Sequence, residues 1–137
     1  MLRTETRARA RALQLLYSAE LQPGVRLRDL AGGLARLTGP EPSVFERAEA
    51  LATAVHADRD RLDAVVARAA ENWRLDRLGL MERNILRLGI HELEDPALPP
   101  RVAIDEAVRL AGWFAGPRAP AFVNGVLDRV ARDLGRL

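Results

Sequence analysis

Phe122-Val123-Asn124-Gly125-Val126-Leu127-Asp128-Arg129 is the stretch on which the fold reading turns. Phe122, Val123, Val126, Leu127, Val130 and Leu134 fall within one arc of a 3.6-residue helix, so the spacing predicts an amphipathic helix. Inside it sits Asn124-Gly125, a pair that elsewhere marks a turn. Glycine in a helix interior costs roughly 1 kcal/mol against alanine. A helix that keeps it is expected to need close backbone approach or a polar contact there. A helix with a tight packing spot is the plainer alternative.

Working outward, Gly116-Pro117-Arg118-Ala119-Pro120 leads into this helix, and another is predicted over residues 101–115. Pro96, Pro99 and Pro100 separate that one from a strongly apolar helix over residues 79–93. With Leu80, Met81, Ile85, Leu86, Leu88, Ile90 and Leu93, it is the expected core helix. Trp73-Arg74-Leu75-Asp76-Arg77 reads as a junction. Residues 43–72 keep a helical pattern without Pro or Gly, opened by Ser43 and Glu46 as a capping box, with a bend expected near His56-Ala57-Asp58. Thr38-Gly39-Pro40-Glu41-Pro42 is a loop, and Leu27, Leu30, Leu34 and Leu37 predict a helix over residues 25–37.

Pro23-Gly24 closes the first helix, residues 3–20. On a wheel, Arg3, Arg7, Arg11, Gln14 and Ser18 form one polar stripe, while Leu13, Leu16 and Tyr17 make the apolar face. Arg9 lies on the line of the apolar face. Either its stem packs and its head finds a carboxylate, or the first turns project past the bundle. The second alternative leaves Arg3, Arg7, Arg9 and Arg11 as an exposed basic end.

At 137 residues the chain is expected to be one domain, 1–137, with a sizeable core. Hydrophobic content of 48% with 29% charged residues marks a globular protein, and the scarcity of aromatics (4%) beside abundant Ala, Leu and Val favours closely packed helices. The class is therefore all-α: a compact bundle of about seven helices without strands or repeats. Leu13, Leu16, Val55, Leu86, Ile90, Val108, Val126 and Val130 are expected to be buried. No apolar run spans a membrane, the N-terminus lacks a signal-peptide core, and the absence of Cys removes disulfides and thiolate sites; the expected location is cytoplasmic. Net charge is only +2, yet all 21 basic residues are Arg. Coding bias or thermophily explains such usage, and it is equally compatible with RNA, because guanidinium pairs with phosphate and stacks on bases.

Catalytic chemistry is missing. His91-Glu92-Leu93-Glu94 has no second histidine four residues on, so the zinc-helix motif fails, and His91 is expected to be a packed or hydrogen-bonded side chain. Ser18 and Ser43 carry no nucleophile signature. Asp105 and Glu106 open a helix, where the macrodipole favours them, and Asp105 is spaced to pair with Arg109. No enzyme, cofactor or metal is expected.

Three blocks in series resemble the NusB family of bacterial transcription antitermination factors. They are Arg7-Ala8-Arg9 running into Ala12-Leu13-Gln14-Leu15-Leu16-Tyr17; Met81-Glu82-Arg83-Asn84-Ile85-Leu86-Arg87-Leu88 through Glu92-Leu93; and Pro100 through Val102-Ala103-Ile104-Asp105-Glu106-Ala107 to the Phe122–Asp128 string. The resemblance covers essentially the whole chain. It implies two packed helical subdomains, here roughly 1–75 and 76–137. It also implies binding to the single-stranded boxA element of ribosomal RNA leader transcripts together with NusE, a small-subunit ribosomal protein. The assembly joins the RNA polymerase antitermination complex. Members of the family occur as monomers and as homodimers, and the sequence leaves both open.

The resemblance places the RNA surface on the basic first helix and on the loop before the Phe-Val-Asn-Gly block. On this chain that selects Arg3, Arg7, Arg9, Arg11, Arg118 and Phe122. Phe122 borders the apolar face, so its ring either plugs the core or offers a stacking platform. The NusE surface falls on Tyr17, Arg77, Met81 and Glu82, with ordinary core packing the alternative for Tyr17 and Met81. Two departures from the family stand out: Thr4-Glu5-Thr6 where basic residues are frequent, and Ala119-Pro120-Ala121 where polar or basic ones are. Both point to weaker RNA binding or to reliance on the partner, with Arg118 compensating in part. The competing class is an all-helical protein-interaction scaffold without an RNA site.

Overall fold

The computed structural model describes residues 2–70 and 78–137. Among them are seven α-helices and no strand, so the all-α class read from the periodicity is what forms. In chain order they are α1 (Thr4–Leu21), α2 (Leu27–Thr38), α3 (Pro42–Ala57), α4 (Arg59–Ala69), α5 (Leu80–Leu93), α6 (Pro100–Phe114) and α7 (Ala119–Asp133). The chain divides into two compact units, Met1–Ala57 and Asp58–Leu137.

In the first unit α1 packs chiefly on α3, and α2 lies against both. Buried alanines at Ala8, Ala12, Ala48 and Ala52 sit beside Leu13, Leu16, Val44 and Val55, small residues that let two helix backbones approach. Helix α3 starts at Pro42, whose fixed φ suits the first helical position, and the Phe45 amide donates to the Glu41 carbonyl at 3.0 Å. Ser43 therefore falls inside the helix, and the expected capping box does not form. Helix α2 fully buries only Ala31; Leu27, Leu30 and Leu34 are half-buried and Leu37 is 86% exposed, so its leucine stripe is covered only in part within the described residues.

The long helix expected over residues 43–72 breaks at Asp58 (φ −108°, ψ 14°), and α4 groups with the second unit. The division thus falls near residue 57 rather than near 75. The reason is tertiary. Leu62 and Val66 of α4 are buried, and Asp63 accepts from Arg87 of α5 at Nε (2.6 Å) and Nη2 (2.8 Å).

Helix α5 is the core of the second unit, packed against α4, α6 and α7. Residues 84–90 are buried without interruption. Leu86, Ile90, Val126 and Val130 are buried as expected, whereas Val108 is only half-buried. A Cβ on Gly125 would meet nothing within 4 Å, so the close approach expected there does not occur. It occurs at Gly89, where a Cβ would stand 2.6 Å from Leu127 Cδ1 and 3.4 Å from the Ala107 Cβ. Near the end of the chain, Arg136 donates to the carbonyls of Leu93 (2.7 Å) and Leu98 (2.8 Å), satisfying acceptors left open after α5.

Candidate nucleic-acid interface

Helix α1 carries the first group of cations. Arg3 is its exposed N-cap, and Arg7 and Arg11 are half-exposed. The guanidinium of Arg7 is paired with Glu41 from the turn before α3. Arg11 donates to Gln14 Oε1 at 2.9 Å and lies 6.0 Å from the Phe45 ring centroid, a cation–π distance. Both side chains are thus held in fixed directions by their own unit. Glu5, the acid beside them, faces Arg47 at 3.8 Å. From Thr6 to Ala19 there is no carboxylate.

Arg9 resolves the two alternatives in favour of packing. It is 7% exposed, and its head is engaged rather than free. The expected exposed basic end therefore consists of Arg3, Arg7 and Arg11, with Arg9 buried behind them.

The start of α7 carries the second group. Arg118 is its exposed N-cap, Ala119 and Pro120 are the first helical positions, and Phe122 is half-buried with its side chain engaged. The neighbouring Val123 is fully buried and takes the core position, which leaves Phe122 at the rim, between the two alternatives of core plug and open platform. From Ala107 to Leu127 the chain has no carboxylate, its longest such run. Beyond it, Asp128 is held by Arg132 (2.9 Å) and Asp133 by Arg129 (3.3 Å).

Trp113 escaped the sequence reading of this stretch, and Arg109 entered it only through its spacing to Asp105. Trp113, near the end of α6, is 47% exposed, and the Arg109 guanidinium lies 5.9 Å from its ring centroid. Arg109 is spaced to pair with Asp105 four residues before it. It turns instead to the indole four residues after it, and no ion pair with Asp105 forms. The legible signal was the Arg-to-Trp spacing inside a carboxylate-free run.

The residues expected to face a protein partner lie in separate units. Tyr17 is 36% exposed on α1, so it is not core. Met81 and Glu82 are half-buried in the first turn of α5. Glu82 folds over the helix start, its Oε1 3.3 Å from where a Cβ on Gly79 would lie, and it has no hydrogen bond or ion pair among the described residues. A carboxylate is favoured at that terminus by the macrodipole. Next to it, the buried Nε of Arg83 has no hydrogen-bond partner among the described residues. Arg77 lies outside the described residues.

Other chemistry is not assembled. Among the described residues no group of three or more His, Asp or Glu is placed to hold a metal, and no helix is long and apolar enough to cross a membrane. A cleft of about 330 Å³ in the second unit is lined by Arg61, Val65, Arg68, Glu94, Asp133 and Leu134 among others, none of them an expected site residue.

Residues 6–132 match the model of the NusB family. The chain belongs to the NusB family. It is 39% identical over 132 residues to the transcription antitermination protein NusB of Myxococcus xanthus, covering 93% of this chain and 94% of that protein. Its fold is similar to that of T. maritima NusB, with a TM-score of 0.82 at 28% identity over 97% and 94% of the two chains. It is equally similar to a chain in a crystal structure of the antitermination factors NusB and NusE in complex with dsRNA: TM-score 0.81, 28% identity, 97% and 99% covered. As a NusB antitermination factor the protein is not an enzyme.

Proposed function

We propose that this NusB-family protein binds the boxA element of ribosomal RNA leader transcripts together with NusE, and that the assembly joins the cytoplasmic RNA polymerase antitermination complex. The observation that carries the reading is the basic stripe of α1, where Arg3, Arg7 and Arg11 present cations in a helix without an acid from Thr6 to Ala19; the carboxylates beside them are Glu41, paired with Arg7, and Glu5, which faces Arg47. The similarity to a NusB solved with NusE and RNA supports the same partners. In the second unit, Arg118 and Phe122 are assigned to RNA, Arg118 as a phosphate ligand and Phe122 as a rim contact. Tyr17, Met81, Glu82 and Arg77 are assigned to NusE, with the Glu82 carboxylate as the polar anchor. Arg9 supports the site from beneath by holding α1 in place.

The test is titration of boxA RNA with and without NusE across a salt series. Single-stranded RNA loses affinity with a slope of about −0.7 per phosphate contacted, so replacing Arg3, Arg7 and Arg11 together by Ala flattens the slope by about two units. Unchanged RNA binding by that triple variant refutes the site and leaves the scaffold reading standing. Glu82→Arg is expected to weaken NusE binding while the melting temperature holds. Unaltered NusE affinity in that variant overturns the partner assignment.

A further inference from the structure

Trp113 is half exposed at the end of α6, where burial would be the usual fate of an indole. Its ring is not a stray apolar patch, because the Arg109 guanidinium lies 5.9 Å from its centroid. A guanidinium beside an exposed aromatic face is the pairing on which unpaired bases stack, the cation answering the phosphate and the ring answering the base.

The surroundings carry the right charge. The run from Ala107 to Leu127 holds Arg109 and Arg118 and no acid, although the chain has 19 acidic residues. Asp105 and Glu106, near the middle of α6, lie about two helical turns before Trp113, and Arg109 comes between them and Trp113 in the chain. The run also holds Trp113, Phe114 and Phe122, in a chain with only 4% aromatics. The end of α6 is close to the start of α7: a Cβ on Gly112 would be 3.8 Å from the Pro120 ring. Trp113 therefore belongs to the same end of the second unit as the α7 start that carries Arg118.

We propose that Trp113, clamped by Arg109, is a base-stacking platform for one unpaired nucleotide of the RNA this protein binds. The inference rests on the RNA-binding reading and extends its footprint beyond Arg118 and Phe122. Stacking on an indole tolerates any base, so the platform adds affinity without adding sequence preference.

The experiment uses the full chain with NusE and a boxA RNA carrying several unpaired flanking nucleotides. Trp113→Ala is expected to weaken binding about 5- to 150-fold, the loss of one stacked base, with the melting temperature unchanged. Trp113→Phe restores most of the affinity, and RNA quenches the indole emission of the parent protein more than that of Trp113→Phe. Full RNA affinity in Trp113→Ala overturns the platform. If the Arg3, Arg7 and Arg11 triple variant loses RNA binding in that same experiment, the RNA reading itself survives. If Trp113→Ala keeps RNA affinity and loses NusE affinity instead, the exposed indole is a protein contact and the inference is wrong.

Discussion

Gly89 and Leu127 are placed so that a single methyl group on the glycine would collide with the leucine: the added Cβ would lie 2.6 Å from Cδ1 and 3.2 Å from Cδ2. Leu127 is fully buried, so any shift of its side chain must be taken up inside the core. The absence of a side chain at one position of α5 thus sets how closely α7 seats on it. Gly89→Ala is expected to destabilise the protein by about 1–2 kcal/mol, overpacking outweighing the roughly 1 kcal/mol gained in helix propensity. Chemical denaturation measures it. Combined with Leu127→Ala, the two changes are expected to cost clearly less than their sum, because each relieves the other. Strict additivity would show that the two residues are not in contact.

Arg87 is nearly fully buried, and its partners include Asp63 of α4 and the Asn84 carboxamide, whose oxygen accepts from Nη1 at 3.1 Å. Asp63→Ala removes the carboxylate that accepts from both Nε and Nη2 of the buried cation, at an expected cost of about 3 kcal/mol. Replacing both partners by apolar residues, Asp63→Leu with Arg87→Met, is expected to recover most of that loss. A double variant no more stable than Asp63→Ala would show that the pair holds α4 to α5 by something other than charge compensation.

Arg61 bridges the start of α4 to the end of α5, donating to Asp58 at 2.6 Å and to Glu94 at 2.7 Å. The hydrogen bond from Arg61 is the main reason the Asp58 carboxyl titrates below its ordinary value of 3.8; desolvation opposes it, and Coulomb attraction from Arg61 and His91 adds smaller contributions in the same direction as the hydrogen bond. A carboxyl depressed in the folded state stabilises the protein above its unfolded pKa and loses that contribution as pH falls through the folded value. Denaturation midpoints followed downward from pH 5 are expected to decline more steeply in the parent protein than in Asp58→Asn. Parallel profiles would remove Asp58 from the acid response. The carboxyl is partly open to solvent, which screens the pair, so the difference is expected to be small.

The sequence was most legible where helices meet one core. The apolar arcs of α5 and α7 were readable because Ile85, Leu86, Leu88, Val123, Val126 and Leu127 recur at the spacing that burial demands. The break at Asp58 was readable only as a bend, since no Pro or Gly marks it and the pairing of Asp63 with Arg87 assigns α4 to the second unit. Gly89 and Gly125 look alike in a string of letters. Only the neighbours across the helix show that the first is required by contact and the second is open. The polar stripe of α1 was correctly drawn, but the wheel gives direction and not depth, so it left the fate of Arg9 undecided. Trp113 was missed because an aromatic on an amphipathic helix is ordinarily core.

Arg7 is both a proposed phosphate ligand and the partner of Glu41, so RNA and Glu41 compete for one guanidinium. Both side chains are about one-third exposed, which keeps the internal pair weak, within about 1 kcal/mol. Glu41→Gln removes the competing charge while keeping the side chain's shape. It is expected to tighten boxA RNA binding by up to about 5-fold, the affinity equivalent of that 1 kcal/mol, and to lower stability by no more than the same amount. Arg7→Ala is expected to weaken RNA binding and to make Glu41→Gln silent when the two are combined. If Glu41→Gln binds RNA no more tightly than the parent while Arg7→Ala binds it less, the carboxylate does not compete with phosphate and serves to aim the guanidinium at it. If neither change alters RNA binding, Arg7 is a structural partner of Glu41 and leaves the RNA surface.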